Sequence, residues 1–150
     1  VLTTISPNPG TSWLQLGGWL SVGAALLHMG CILGGPKWYR FFGAGEDMAR
    51  AAARGEWTPA LITLAIASIL LVWAAYAFSG AGSLRRLPLL RTGLVVITTI
   101  YLLRAIVFVP LHLWRPQHTD SFAIWSSLIV FVYGAVYTAG TCKAWRHLAP

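Results

Sequence analysis

Four long apolar runs divide the chain, and its polar positions are gathered into the breaks between them. The runs cover approximately residues 14–34, 59–79, 89–109 and 122–141. Each has the roughly 20 residues, at about 1.5 Å rise, that a helix needs to cross a bilayer. None alternates apolar and polar positions with a period of two, so the pattern predicts helices and not the strands of a barrel. Together the runs use up the chain. Residues 1–150 are therefore expected to form one all-α integral membrane domain, a four-transmembrane-helix antiparallel bundle.

The breaks carry their own signals. Pro7, Pro9 and Gly10 exclude a regular helix from the lead VLTTISPNPGTSW. With no positive segment before it, the first run reads as a retained span and not as a signal peptide. Gly34, Gly35 and Pro36 are expected to stop that span. Along it, Gly17, Ser21, Ala24 and His28 share one face, a stripe of mostly small residues that invites a close neighbour.

GAGEDMARAAARGEWTP, in the first and longest break, predicts a short surface helix. Glu46, Arg50 and Arg54 there follow i, i+4 spacing with the acid leading, which is the supportive order. This segment suits either a cap over the bundle mouth or a rest on lipid headgroups. Thr58 and Pro59 predict an N-cap and a first-turn proline for the next span. SGAGSLRRLP reads as a tight basic turn, and WRPQHTDS as a connection with Asp120 or Ser121 as N-cap. Trp13, Trp38, Trp57, Trp114, Trp125 and Trp145 fall at or near the proposed membrane boundaries, where amphipathic rings sit. Trp19 and Trp73 lie deeper, either facing lipid or lining the bundle.

Composition sharpens this picture. The chain is 57% hydrophobic and 10% charged, with a mean hydropathy of +0.66. A soluble domain carries about 25% charged residues, so these few cannot clothe a water-facing surface. The formal net charge of +7 raises the question of nucleic acid. The basic residues, however, stand in short clusters beside apolar runs, as cations at a membrane boundary do, so the lipid bilayer is the expected partner.

Arg85, Arg86, Arg91, Lys143 and Arg146 lie on the side of the termini, and Lys37, Arg40, Arg50, Arg54 and Arg115 on the other. All four acids, Glu46, Asp47, Glu56 and Asp120, fall with the second group. A purely basic second loop and C-terminus favour both termini being cytoplasmic. Cys31 and Cys142 fall at opposite membrane faces, too far apart for a disulfide.

Within the third run stands Arg104, ten residues before Trp114 and hence roughly 15 Å from it along a helix. An arginine at such depth costs about 2.5–3.5 kcal/mol on insertion scales. Its side chain leans toward the helix N-terminus, away from the nearer interface. It is therefore expected to face the bundle interior, on an arc shared with Tyr101 and His112. With His28 at comparable depth on the first span and an acid from a loop, these residues would form a polar ligand-binding pocket under the first loop. An arginine fork suits an anionic lipid or a small anionic ligand. The other reading is a buried ion pair that locks helix register.

His28 and His112 also raise a haem or metal site, for which matched depth and a third ligand are lacking. No cofactor and no metal are expected. Ser126 and Ser127 are ordinary helix-contact residues.

YRFFGAGEDMA after the first span and SGAGSLRRLPLLR before the third resemble small four-helix inner-membrane proteins of bacteria. The resemblance implies fold and location, with no activity or site residue carried over. Three functions fit the residues. The first is a binding, accessory or assembly module with a polar pocket around Arg104, acting with a membrane protein partner or as a homo-oligomer. The second is a small membrane enzyme or carrier for a lipid-like anionic molecule, with Arg104 holding the charge and a histidine shuttling a proton. The third is a haem-binding bundle.

Overall fold

The computed structural model describes residues 8–114 and 121–149, the side chains of 108–113 and 121 excepted. The order of elements is α1 (Thr11–Gly34), α2 (Pro36–Phe41), α3 (Glu46–Ala53), α4 (Thr58–Gly80), α5 (Leu90–Trp114) and α6 (Ser121–Ala144). α1, α4, α5 and α6 are long and apolar enough to cross a membrane, and they form the antiparallel bundle that the apolar runs predict. α1 packs along α4, α5 packs along α6, and α6 closes the ring by returning to α1.

Lipid tails are as apolar as leucine, so helices in a bilayer associate through close contact and not through burial. Small residues provide that contact here. A Cβ at Gly17 would stand 2.9 Å from the Tyr137 ring, and one at Gly140 would stand 2.8 Å from Leu14. At the end of the same seam, a Cβ at Gly10 would come within 2.5 Å of the Gly140 carbonyl oxygen. Ala67, Ala74 and Ala77 give α4 its buried stripe, and Leu94, Ile97 and Tyr101 give α5 its own. The outward faces carry Leu26, Leu61, Val72, Leu103 and Phe131, all exposed as lipid-facing residues should be.

The end where α1 begins and α4 finishes is tied together by polar side chains. Asn8 Nδ2 donates to the Gly80 carbonyl at 3.0 Å, and Thr11 Oγ1 donates to that of Ala81 at 3.2 Å. Ser79, buried, donates to the Arg85 carbonyl and accepts the Leu87 N–H, which folds the basic turn back on α4.

The opposite end is closed by α2 and α3. Tyr39 and Ala49 are buried with Cys31 in a small cluster of their own. Thr63 Oγ1 of α4 lies 3.3 Å from the Tyr39 hydroxyl. Phe42 meets Phe122 at 6.4 Å between ring centroids. The first loop thus caps the bundle mouth. Glu46 takes a bidentate pair from Arg40 (2.9 and 3.1 Å) and a further bond from Arg50 at 3.2 Å, as the i, i+4 spacing predicts. Those two guanidinium groups hold the Glu46 carboxyl down at about 2, the Arg40 bonds first. Arg54 pairs instead with Glu56, at 2.6 Å.

Four expectations from the sequence change. Pro36 does not merely stop α1 but opens α2, because proline fits a first helical turn. Trp57, not Thr58, holds the N-cap position of α4, with no side-chain cap bond, and Pro59 still sits in the first turn. α5 continues through Pro110 to Trp114, beyond the expected end near Val109. Cys142 lies inside α6 and not past its end. Pro7 and Asp120 fall outside the described residues.

Candidate functional site

The polar centre of the bundle is a set of hydroxyls. Ser21, halfway along α1, is fully buried, and its Oγ lies 2.8 Å from the Tyr137 hydroxyl and 3.2 Å from that of Tyr101. The Tyr137 hydroxyl also donates to the Trp73 carbonyl at 3.3 Å, and the Tyr133 hydroxyl donates to that of Leu20 at 2.9 Å. The rings themselves pack together. Tyr101 stands edge-on to Trp73 at 4.9 Å and lies 5.5 and 5.3 Å from Tyr133 and Tyr137.

One small residue on α1 thus receives aromatic hydroxyls from α5 and α6, and α4 supplies a carbonyl and a tryptophan face. Buried tyrosines are stable only with their O–H satisfied, and here helix carbonyls accept a second bond at little cost to the helix. Trp73 therefore lines the bundle, whereas Trp19 faces outward at 66% exposure.

Of the residues expected to form the ligand pocket, Tyr101 is inside, at 6% exposure. Arg104 is not. It is exposed on the outer surface of α5, so the expectation that it faces the interior is corrected. At about 100° per residue it lies about 60° round from Tyr101 and about 20° from Gly93. Gly93 marks the flank turned toward α4, because a Cβ there would stand 2.4 Å from the Tyr76 ring.

α4 and α5 meet at Tyr76 with Gly93, at Gly80 with Leu94 and at Trp73 with Tyr101. Arg104 is farther along the same flank, toward the capped end. There Ile66 and Ile69 of α4 and Ile100 of α5 are also exposed, at 40%, 49% and 43%. The arginine is exposed on the flank of α5 nearer α4, level with these outward isoleucines.

His28 is half-buried, and its Nδ1 lies 2.8 Å from the Ala24 carbonyl of its own helix. A carbonyl can only accept, so Nδ1 carries the proton and the ring is anchored within α1. His112 belongs to α5, with its side chain outside the described residues. Two of the loop acids are engaged elsewhere, Glu46 by Arg40 and Arg50 and Glu56 by Arg54, and Asp120 lies outside the described residues. The expected pocket of His28, Tyr101, Arg104, His112 and an acid is therefore not brought together by the described residues. Among them no three His, Cys, Asp or Glu side chains gather as a metal site would require.

Sequence reasoning missed Tyr137, the most buried large side chain of the centre. Its signal was present: Tyr133 and Tyr137 stand one turn apart on α6, and Gly17 and Ser21 stand one turn apart on the helix they meet. No known protein family, no curated protein and no solved structure matches the chain.

Proposed function

We propose that the protein is a binding and assembly module of a bacterial inner membrane, with both termini cytoplasmic. Through Arg104 it docks a transmembrane helix of another protein that carries a carboxylate at matching depth. The observation that carries this reading is the exposure of Arg104 from a membrane-spanning helix. A guanidinium turned outward at that depth costs about 2.5–3.5 kcal/mol unless something anionic meets it.

A lipid phosphate at the nearer interface is a poor match. Trp114 stands ten residues away, roughly 15 Å along the helix, and the side chain leans the other way. A second copy is a poor match too, because none of the four acids of this chain lies within an apolar run. A carboxylate on a foreign helix, seated between α4 and α5, meets both the charge and the depth. The hydroxyls of the centre are committed to one another and to helix carbonyls, which favours a module over an enzyme.

The test is association, in bilayers of neutral lipid, between the bundle and a synthetic polyleucine helix bearing one central Glu, read by energy transfer. The expected result is binding of the Glu helix, at least tenfold weaker for a Gln helix, and lost in Arg104→Leu. Because Arg104 lies on the surface, that variant should keep its fold and stability. Equal association of the Glu and Gln helices would defeat the proposal, and unfolding of Arg104→Leu would make the residue a structural lock. For orientation, a membrane-impermeant maleimide should reach exposed Cys142 only from the cytoplasmic side.

A further inference from the structure

The basic end of the bundle carries a cluster of cations well separated from Arg104. Between the α4–α5 connection and the C-terminal turn lies an open pocket of about 610 Å³, lined by Arg86, Leu87, Leu89, Arg91, Thr92 and Leu148 among others. Its two arginines are held in place by the chain's own C-terminal segment. Arg91 donates to the Trp145 carbonyl at 2.8 Å and lies over the Trp145 ring, 4.2 Å from the centroid. Arg86 donates to the Ala149 carbonyl. Neither bond neutralises charge, because carbonyls accept without a formal negative charge.

Arg91 Nε is buried without any acceptor among the described residues, and Nδ1 of His147 in the neighbouring turn is buried without a hydrogen-bond partner among them. Arg85, Lys143 and Arg146 stand at the same end, and the acids among the described residues, Glu46, Asp47 and Glu56, lie before α4 at the other. Neither guanidinium has a carboxylate partner among the described residues, and arginine forks bind phosphate through paired N–H donors.

Apart from Thr92, the rest of the pocket is leucine and proline. Leu89 is 77% exposed at the membrane boundary and holds a left-handed backbone, φ +52°, a conformation that L residues seldom adopt. A site that is cationic at its head and leucine-lined beside it fits an amphiphile. We propose that this pocket binds the phosphate of an anionic phospholipid, with Arg86 and Arg91 on the phosphate oxygens and Leu87 and Leu89 along the acyl chains.

The test is native mass spectrometry of the full chain, released from neutral-lipid nanodiscs and supplied in turn with phosphatidylglycerol, phosphatidylcholine and inorganic phosphate. Wild type should retain one phosphatidylglycerol, with at least tenfold less phosphatidylcholine. The Arg86→Gln/Arg91→Gln pair should lose that preference, Arg86→Lys/Arg91→Lys should keep part of it, and Arg50→Gln/Arg54→Gln at the far end should keep all of it. Equal retention of the two lipids by wild type overturns the proposal, and that arm needs no variant to fold. Retention of inorganic phosphate without phosphatidylglycerol would leave the arginines as a phosphate clamp and overturn the lipid as its source.

Discussion

Ser21 and Tyr137 share a 2.8 Å hydrogen bond in the fully buried middle of the bundle. It joins the first membrane helix to the last. Ser21→Ala removes that bond and the acceptor or donor of Tyr101 as well, whereas Tyr137 keeps the Trp73 carbonyl. The expected cost is about 0.6–1.5 kcal/mol, since hydrogen bonds between membrane helices are worth less than their isolation suggests. SDS-driven unfolding in mixed micelles measures it. Ser21→Ala combined with Tyr137→Phe should cost less than the sum of the two single changes, because they delete one bond twice. Strict additivity would mean that the hydroxyls do not interact.

The seam between α1 and α6 is sensitive to a single methyl group. A Cβ at Gly140 would lie 2.8 Å from Leu14 Cγ and 3.2 Å from the Leu14 backbone nitrogen, so a helix must move. Gly140→Ala is expected to destabilise the bundle by about 1–3 kcal/mol. Gly23→Ala has nothing within 4 Å of the added carbon and should be neutral or slightly stabilising. The same unfolding assay compares them, and equal effects at the two positions would contradict the close approach.

The cap over the bundle mouth should survive mild acid. Glu46 titrates at about 2 instead of its ordinary 4.5, held down first by the Arg40 bonds and then by that of Arg50. A depressed carboxyl contributes its ion pairs fully above the unfolded value and loses them as pH falls through the folded one. The Glu46 links should therefore persist at pH 4 and open only as the pH approaches 2. Carboxyl-carbon NMR gives the titration directly, and Arg40→Gln should move it upward toward 4.5. A wild-type midpoint near 4.5 would mean that the pairs do not form in solution.

The four spans were legible because their signal is long and redundant: unbroken apolar runs, tryptophans at the ends and basic breaks. Boundaries were less so, and proline explains the largest errors. Pro36 reads as a stop and the third apolar run ends one residue before Pro110, yet proline starts a helix as readily as it ends one. Inside a membrane bundle, neighbouring groups re-satisfy the backbone that proline disturbs.

The site was legible only in part. Helical periodicity placed Tyr101 and Arg104 on a common arc, and 60° of rotation separates the buried face from the exposed one. Which edge of such an arc is covered depends on the neighbour, and Gly93 against Tyr76 brings α4 close at one end of α5 without covering Arg104 at the other. The expense of a membrane arginine argued for an inward position. That argument holds for a chain that works alone.

Gly10 against the Gly140 carbonyl also sets an order in time. Synthesis runs from the N-terminus, so α1 and α4 enter the bilayer and pair while α6 is still unmade. The face of α1 holding Gly17 and Ser21 must then wait beside lipid until residue 140 has left the ribosome. It can wait safely: the backbone carbonyls of Leu20 and Trp73 that later accept tyrosine hydroxyls belong to continuous helices, whose ladders satisfy such groups without outside help. A nascent chain stopped before α6 should therefore persist as an open, half-built bundle, the form in which quality-control proteases would meet it.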